Sequence, residues 1–168
     1  MRGNRYQGLV PDRCVQLLGP KYALLRKEFR DARKRLRKRT GKIRRVLIFF
    51  GGSDPTNETG KALSGLQNLE GLDLKVDVVI GTSFPHRTIL QKMVTAMRQT
   101  YLHIQVNNMA ELTARADVGI GAGGSVLWER CCLGLPSIIA TTADNQIEAT
   151  NDLAERRLLL SLGPASKL

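Results

Sequence analysis

The chain has 168 residues, 42% of them hydrophobic and 24% charged, a composition that builds one folded core and excludes an intrinsically disordered chain. Its formal charge of +11 is confined to residues 21–45, which hold thirteen Lys/Arg against two acids; the remainder holds thirteen of each sign. No apolar run reaches the roughly 18 residues of a membrane span, and Met1–Leu25 lacks the continuous hydrophobic stretch of a secretory signal, so a cytoplasmic location is expected.

Residues 1–20 offer no strand that would join a sheet and end in a Gly-Pro break, so they read as the tail of something else. A second, N-terminal domain or a partner chain is therefore expected outside this sequence. In the basic segment Tyr22, Leu25, Phe29, Ala32 and Leu36 recur every three or four residues, which predicts an amphipathic helix from about Gly19 to Arg39. That helix is expected to link or brace domains. Its charged face also suits polyphosphate or acidic lipid, whereas nucleic acid is disfavoured because only Tyr22 and Phe29 interleave aromatics with the cations. Residues 1–40 are thus a tail with a basic linker helix, and 41–168 form the principal domain.

Beyond Gly41 short apolar runs alternate with helical patterns. Strands are expected at 46–50, 74–80, 102–106, 117–120 and 137–140, and helices at 57–66, 85–100, 109–116, 125–133 and 146–157. Continuous apolar strands separated by helices imply a Rossmann-like, doubly wound parallel sheet. Ligands bind such sheets beyond the carboxyl ends of the strands, where the loops 51–57, 81–85, 107–109, 121–124 and 141–145 should cluster.

Two of these loops carry chemistry. FFGGSDPTN (49–57) sets Gly51, Gly52 and Ser53 directly after a strand, with Asn57 as a candidate helix cap. It is not a Walker loop, since seven residues separate Gly52 from Gly60 and Ala62 follows Lys61. GIGAGG (119–124) matches G-x-G-x-x-G formally, but it falls on the fourth strand, and Asp144 sits in a polar loop rather than at a strand tip, so NAD is not expected. The helix opening at Gly124, Ser125 and Val126 instead suits a diphosphate, because its first amides lack intrahelical partners and lie at the positive end of the dipole. Glu129, one turn on, is placed to accept from ribose hydroxyls or to pair with a neighbour such as Arg130. Leu127 and Trp128 read as core. Asp144, Asn145 and Gln146 offer donors and acceptors to a sugar, with Asp144 also a candidate helix cap.

Cys14, Cys131 and Cys132 have neither metal-ligand nor redox spacing, and His86 and His103 read as structural, so no metal and no cofactor is expected.

Four segments in order, LLGPKYALLRKEF, FFGGSDPTN, NNMAELTARADVGIGAGGSVLWE and GLPSIIATTADNQ, resemble the C-terminal half of the UDP-sugar hydrolase of pseudaminic acid biosynthesis, which releases UDP from a 2,4-diacetamido-2,4,6-trideoxy sugar nucleotide. That family is similar in turn to two-domain GT-B glycosyltransferases such as the peptidoglycan N-acetylglucosaminyltransferase. The resemblance implies a UDP or UDP-sugar ligand, with Gly52 and Ser53 bordering the diphosphate and Gly124, Ser125 and Val126 binding it through amides. It further implies Val106 backbone contacts to uracil, Glu129 on the ribose, and Asn145 with Gln146 toward the sugar. The family's proposed catalytic His lies in an N-terminal domain, and neither His86 nor His103 matches its motif. A catalytic residue is therefore not expected in this chain. The alternative is a UDP-sugar-binding subunit of a split glycosyltransferase.

Overall fold

The computed structural model describes residues 6–69, 71 and 73–168. Six parallel strands, β1 (Arg45–Phe49), β2 (Lys75–Ile80), β3 (Thr100–Ile104), β4 (Val118–Ala122), β5 (Ser137–Thr141) and β6 (Leu160–Pro164), form one sheet in the order β3-β2-β1-β4-β5-β6. Helices α1 (Lys27–Lys34), α2 (Glu58–Gln67), α3 (Arg87–Ala96), α4 (Met109–Arg115), α5 (Val126–Cys132) and α6 (Ile147–Glu155) flank it. The doubly wound α/β architecture expected from the alternating pattern is present. Strand β1 pairs with β2 on one side and β4 on the other, so chain progression reverses between β1 and β4, the place where such sheets open a crevice.

Alternation along the strands divides the core. Val46, Ile48, Val76, Val78 and Ile80 meet Leu63 of α2 and Leu90 of α3, while Leu47 and Val79 meet Phe29, Met109, Leu112 and Leu133. Both faces are apolar because both are covered. A smaller cluster of Leu127, Ile139 and Leu153 joins α5, β5 and α6.

Two expectations need correction. The basic helix does not run from 19 to 39: a 3-10 turn at Pro20–Tyr22 precedes the eight residues Lys27–Lys34. Tyr22, expected on the apolar stripe, is exposed. The helix stops because the following stretch serves the fold better unwound. Arg39 donates from Nε to Ala116 O (2.9 Å) and from Nη1 to Leu133 O (2.8 Å) and Gly134 O (3.0 Å), gathering carbonyls from the ends of α4 and α5, where a cation also complements both dipoles. Arg37 reaches Asp117 (2.6 Å) and Arg33 reaches the Cys132 carbonyl. Much of the basic segment is therefore spent on internal carbonyls and acids, and fully buried Phe29, at about 2–3 kcal/mol of burial, makes α1 a brace within the core.

The second correction is β6, which was not expected at all. It adds to β5 through a register shift at Ile139/Ala140 and leaves Leu160 and Leu162 exposed on the edge. Among the described residues no helix is long and apolar enough to cross a membrane, and no group of side chains could hold a metal ion. The three cysteines are free thiols.

Candidate functional site

All six strands point the same way, so the loops after β1, β2, β4 and β5 open on one edge. The β1–α2 loop is shaped by backbone contact and by a cap. Gly81 donates its amide to Gly52 O at 3.1 Å, and a Cβ on Gly81 would stand 2.3 Å from that oxygen, so glycine is required where the two loops touch. Gly52 and Ser53 are exposed above this contact. The cap is Asp54, not Asn57. Asp54 is buried at φ 38°, and its carboxylate accepts from the amides of Glu58 (3.0 Å) and Thr59 (2.8 Å), whereas Asn57 makes no side-chain cap. The start of α2 is already satisfied by the protein's own anion.

The start of α5 is different. Among the described residues, no protein acceptor takes the amides of Gly124, Ser125 or Val126, and Ser125 at the N-cap position makes no side-chain cap. Ser125 is exposed, and Gly124 and Val126 are half-buried. The loop that carries them is held from below by Gln146. Its Oε1 accepts from Gly123 N (3.1 Å) and Thr142 N (3.0 Å), and its Nε2 donates to Thr142 Oγ1 (3.2 Å), joining the loops after β4 and β5. A Cβ on Gly124 would lie 3.8 Å from that Nε2. Gln146 and the α5 amides are thus neighbours. Asn145 is exposed beside them in a 3-10 turn, Asp144–Gln146; Asp144 does not cap the next helix.

Within GIGAGG, Gly121 and Gly123 have an internal use. A Cβ on Gly121 would stand 1.9 Å from Phe49 O and 2.3 Å from Arg130 Nη2, and one on Gly123 would stand 2.3 Å from Thr150 Oγ1. Gly121 clears the way for the Arg130 side chain, which the sequence offers only as a partner for Glu129. Arg130 is fully buried, and burial pushes its guanidinium down to about 10.

Glu129 pairs with Arg26, 103 residues earlier, rather than with Arg130: Arg26 Nε donates to Oε1 at 2.9 Å and Nη2 to Oε2 at 3.2 Å. This hydrogen bond is the first cause raising the Arg26 pKa. Glu129 thereby sits one helical turn from the free amides with its carboxylate held by a half-exposed arginine. Such a contact is worth at most about 1 kcal/mol, so a competing donor would displace it readily.

Val106 follows β3 and packs partly on the core, and three strand spacings, about 14 Å, lie between β3 and β4. His86 donates from Nε2 to Pro55 O (2.9 Å) and stacks edge-on against Phe84, and His103 contacts buried Asp77 at 2.8 Å. Both histidines stitch elements together. Leu127 is buried, and Trp128 is partly buried beside it.

No protein-family profile matches the chain. It is 30% identical over 146 residues to the spore coat polysaccharide biosynthesis protein SpsG of Bacillus subtilis (strain 168), covering 86% of this chain and 43% of that protein. It is 29% identical over 158 residues to the uncharacterized protein MJ1062 of Methanocaldococcus jannaschii, covering 91% of this chain and 32% of that one. The chain therefore spans less than half the length of these relatives. Among solved structures it resembles the spinosyn rhamnosyltransferase SpnG complexed with thymidine diphosphate (TM-score 0.59, 20% identity, 76% of this chain and 33% of that one). It also resembles MurG of Acinetobacter baumannii (TM-score 0.57, 15% identity, 80% of this chain and 39% of that one). The fold is GT-B-like. The chain is homologous to SpsG over 43% of that protein's length.

Proposed function

We propose that this chain is the nucleotide-binding half of a UDP-sugar hydrolase acting on a 2,4-diacetamido-trideoxy sugar nucleotide of the pseudaminic acid type. The observation that carries the reading is the open start of α5: three amides without acceptors among the described residues, on a loop clamped by Gln146 at the edge where the sheet's crevice opens. Gly124, Ser125 and Val126 receive the diphosphate, Gly52 and Ser53 border it from the β1 side, and Glu129 exchanges Arg26 for the ribose hydroxyls. Val106 offers its backbone to uracil, and Asn145 and Gln146 face the sugar, Gln146 while keeping its clamp.

In the reaction, water adds to the anomeric carbon, the bond from that carbon to the β-phosphate oxygen breaks, and the electron pair leaves on UDP. Fixed N–H donors stabilise this developing charge because they need no reorganisation as it forms. The group that accepts the proton of the attacking water belongs to a part of the protein outside this chain. The isolated chain binds UDP and turns over little.

A second reading, the UDP-sugar-binding subunit of a split glycosyltransferase, draws on the solved transferases that share the fold. The site chemistry is the same, with an acceptor hydroxyl in place of water. Titration of UDP with observation of the Gly124–Val126 amide signals tests the shared core, and no shift at millimolar UDP overturns it. Supplying the partner domain and asking whether the sugar passes to water or to an acceptor separates the two.

A further inference from the structure

Arg130 is the largest fully buried side chain among the described residues. Its Nη2 donates to Phe49 O at 2.9 Å and to Ile120 O at 3.3 Å, and its Nη1 to Ala122 O at 3.4 Å, so the guanidinium ties the carboxyl end of β1 to that of β4. Nε is buried without a partner. Among the described residues no carboxylate forms an ion pair with it; the adjacent Glu129 carboxylate turns outward to Arg26. Gly121 leaves the side chain its space: a Cβ there would stand 2.3 Å from Arg130 Nη2.

Burial of a cation against carbonyls alone is costly, and hydrophobic residues of similar volume commonly fill such a position with no loss of stability. The arrangement makes sense where a positive charge is wanted. Phe49 leads into the loop with Gly52 and Ser53, and Ala122 into the loop with Gly124 and Ser125, so the two segments flanking the proposed diphosphate site spring from the strand ends that Arg130 joins. Asp54 cancels the positive end of α2 on the β1 side. The α5 amides and the Arg130 guanidinium remain as positive groups at this edge, beside the Arg26–Glu129 pair.

We infer that Arg130 is the positioning residue of the diphosphate site, fixing the separation of the β1 and β4 loops and setting a permanent positive charge beneath the phosphates. This rests on the reading of the site given above. The charge acts through the protein rather than by contact, so its effect scales with the number of phosphates and is absent for a ligand that has none.

The test compares wild type, Arg130→Lys and Arg130→Gln as full chains, with thermal unfolding as the check of fold and with uridine, UMP and UDP as ligands. Arg130→Gln should weaken UDP on the order of tenfold to thirtyfold, the effect of one unit charge about 10 Å away at an effective dielectric of about 20. UMP should weaken by a smaller factor and uridine by less than about twofold, and Arg130→Lys should restore most of the UDP affinity. Equal losses for all three ligands, or none, overturn the inference. Should Arg130→Gln not fold, the wild-type Arg130 Nε–H resonance decides: it shifts on UDP saturation and stays still with uridine, and an unmoved resonance with UDP overturns the inference. If wild type binds no UDP, the site reading itself falls and this inference falls with it.

Discussion

The two helices that begin beside the crevice, α2 and α5, have the same electrostatics and opposite treatment. At α2 the chain folds Asp54 back into a left-handed backbone conformation so that one carboxylate accepts two leading amides. At α5 the corresponding amides of Gly124, Ser125 and Val126 have no protein acceptor among the described residues. A helix start is thus an anion site only where the protein has not already supplied the anion. The glycine-rich appearance of a loop does not reveal which case holds.

The largest effect should come from opening the closed start. Asp54→Ala leaves two buried amides unsatisfied and should cost about 2–3 kcal/mol in chemical denaturation, with UDP affinity at 25 °C nearly unchanged if α2 is only structural. A loss of UDP binding in a folded Asp54→Ala protein would mean that α2 shares the ligand. The reverse change closes the open start. Ser125→Asp places a carboxylate where α5 has none, and should raise stability by about 0.5 kcal/mol while weakening UDP by about tenfold. Equal UDP binding by Ser125→Asp would place the ligand elsewhere.

Gln146→Leu removes the shared acceptor of Gly123 and Thr142 and should destabilise the half-buried clamp by about 1 kcal/mol, with a parallel, several-fold loss of UDP affinity. The smallest effect lies far from the crevice, at Asp117. Burial there opposes ionisation, but Arg37 and the amides of Arg44 and Arg45 outweigh it and hold the Asp117 carboxyl below its usual range. Because the folded value is the lower one, its stabilisation is full above about pH 4 and is lost as pH falls through the folded value. Asp117→Asn should flatten the acid limb of melting temperature against pH without altering UDP binding, and an unchanged limb would show that other acids govern it.

Much of the fold was legible. Five of six strands appear within two residues or so of where apolar runs predict them, because continuous Val, Ile and Leu between turn signals leaves few alternatives. Strand β6 (Leu160–Pro164) is as long as β5, but it carries Leu160 and Leu162 on an exposed edge and includes Gly163 and Pro164, so it lacks the continuous apolar, buried pattern of its neighbours. The basic helix was overextended because the spacing of Tyr22, Leu25, Phe29, Ala32 and Leu36 is periodic over a stretch where only Phe29 is fully buried. Periodicity registers a possible face, while the carbonyls that Arg37 and Arg39 capture lie 74 to 95 residues away in sequence.

The site divides in the same way. The free amides at 124–126 were legible because local spacing decides them. The Arg26–Glu129 pair, the Asp54 cap and the Arg130 tie were not, since each depends on backbone or side chains that only the tertiary fold brings near. Within the 119–124 run, Gly121 and Gly123 make space for Phe49 O, Arg130 and Thr150, a use that no spacing pattern announces.

One oxygen, Gln146 Oε1, accepts amides from two different strand-end loops. Gln146 itself belongs to the loop after β5, so a movement of that loop away from β4 removes the acceptor of Gly123, whereas a movement of the Gly123 loop leaves the Thr142 bond intact. Solvent exchange at Gly123 should consequently be at least as fast as at Thr142.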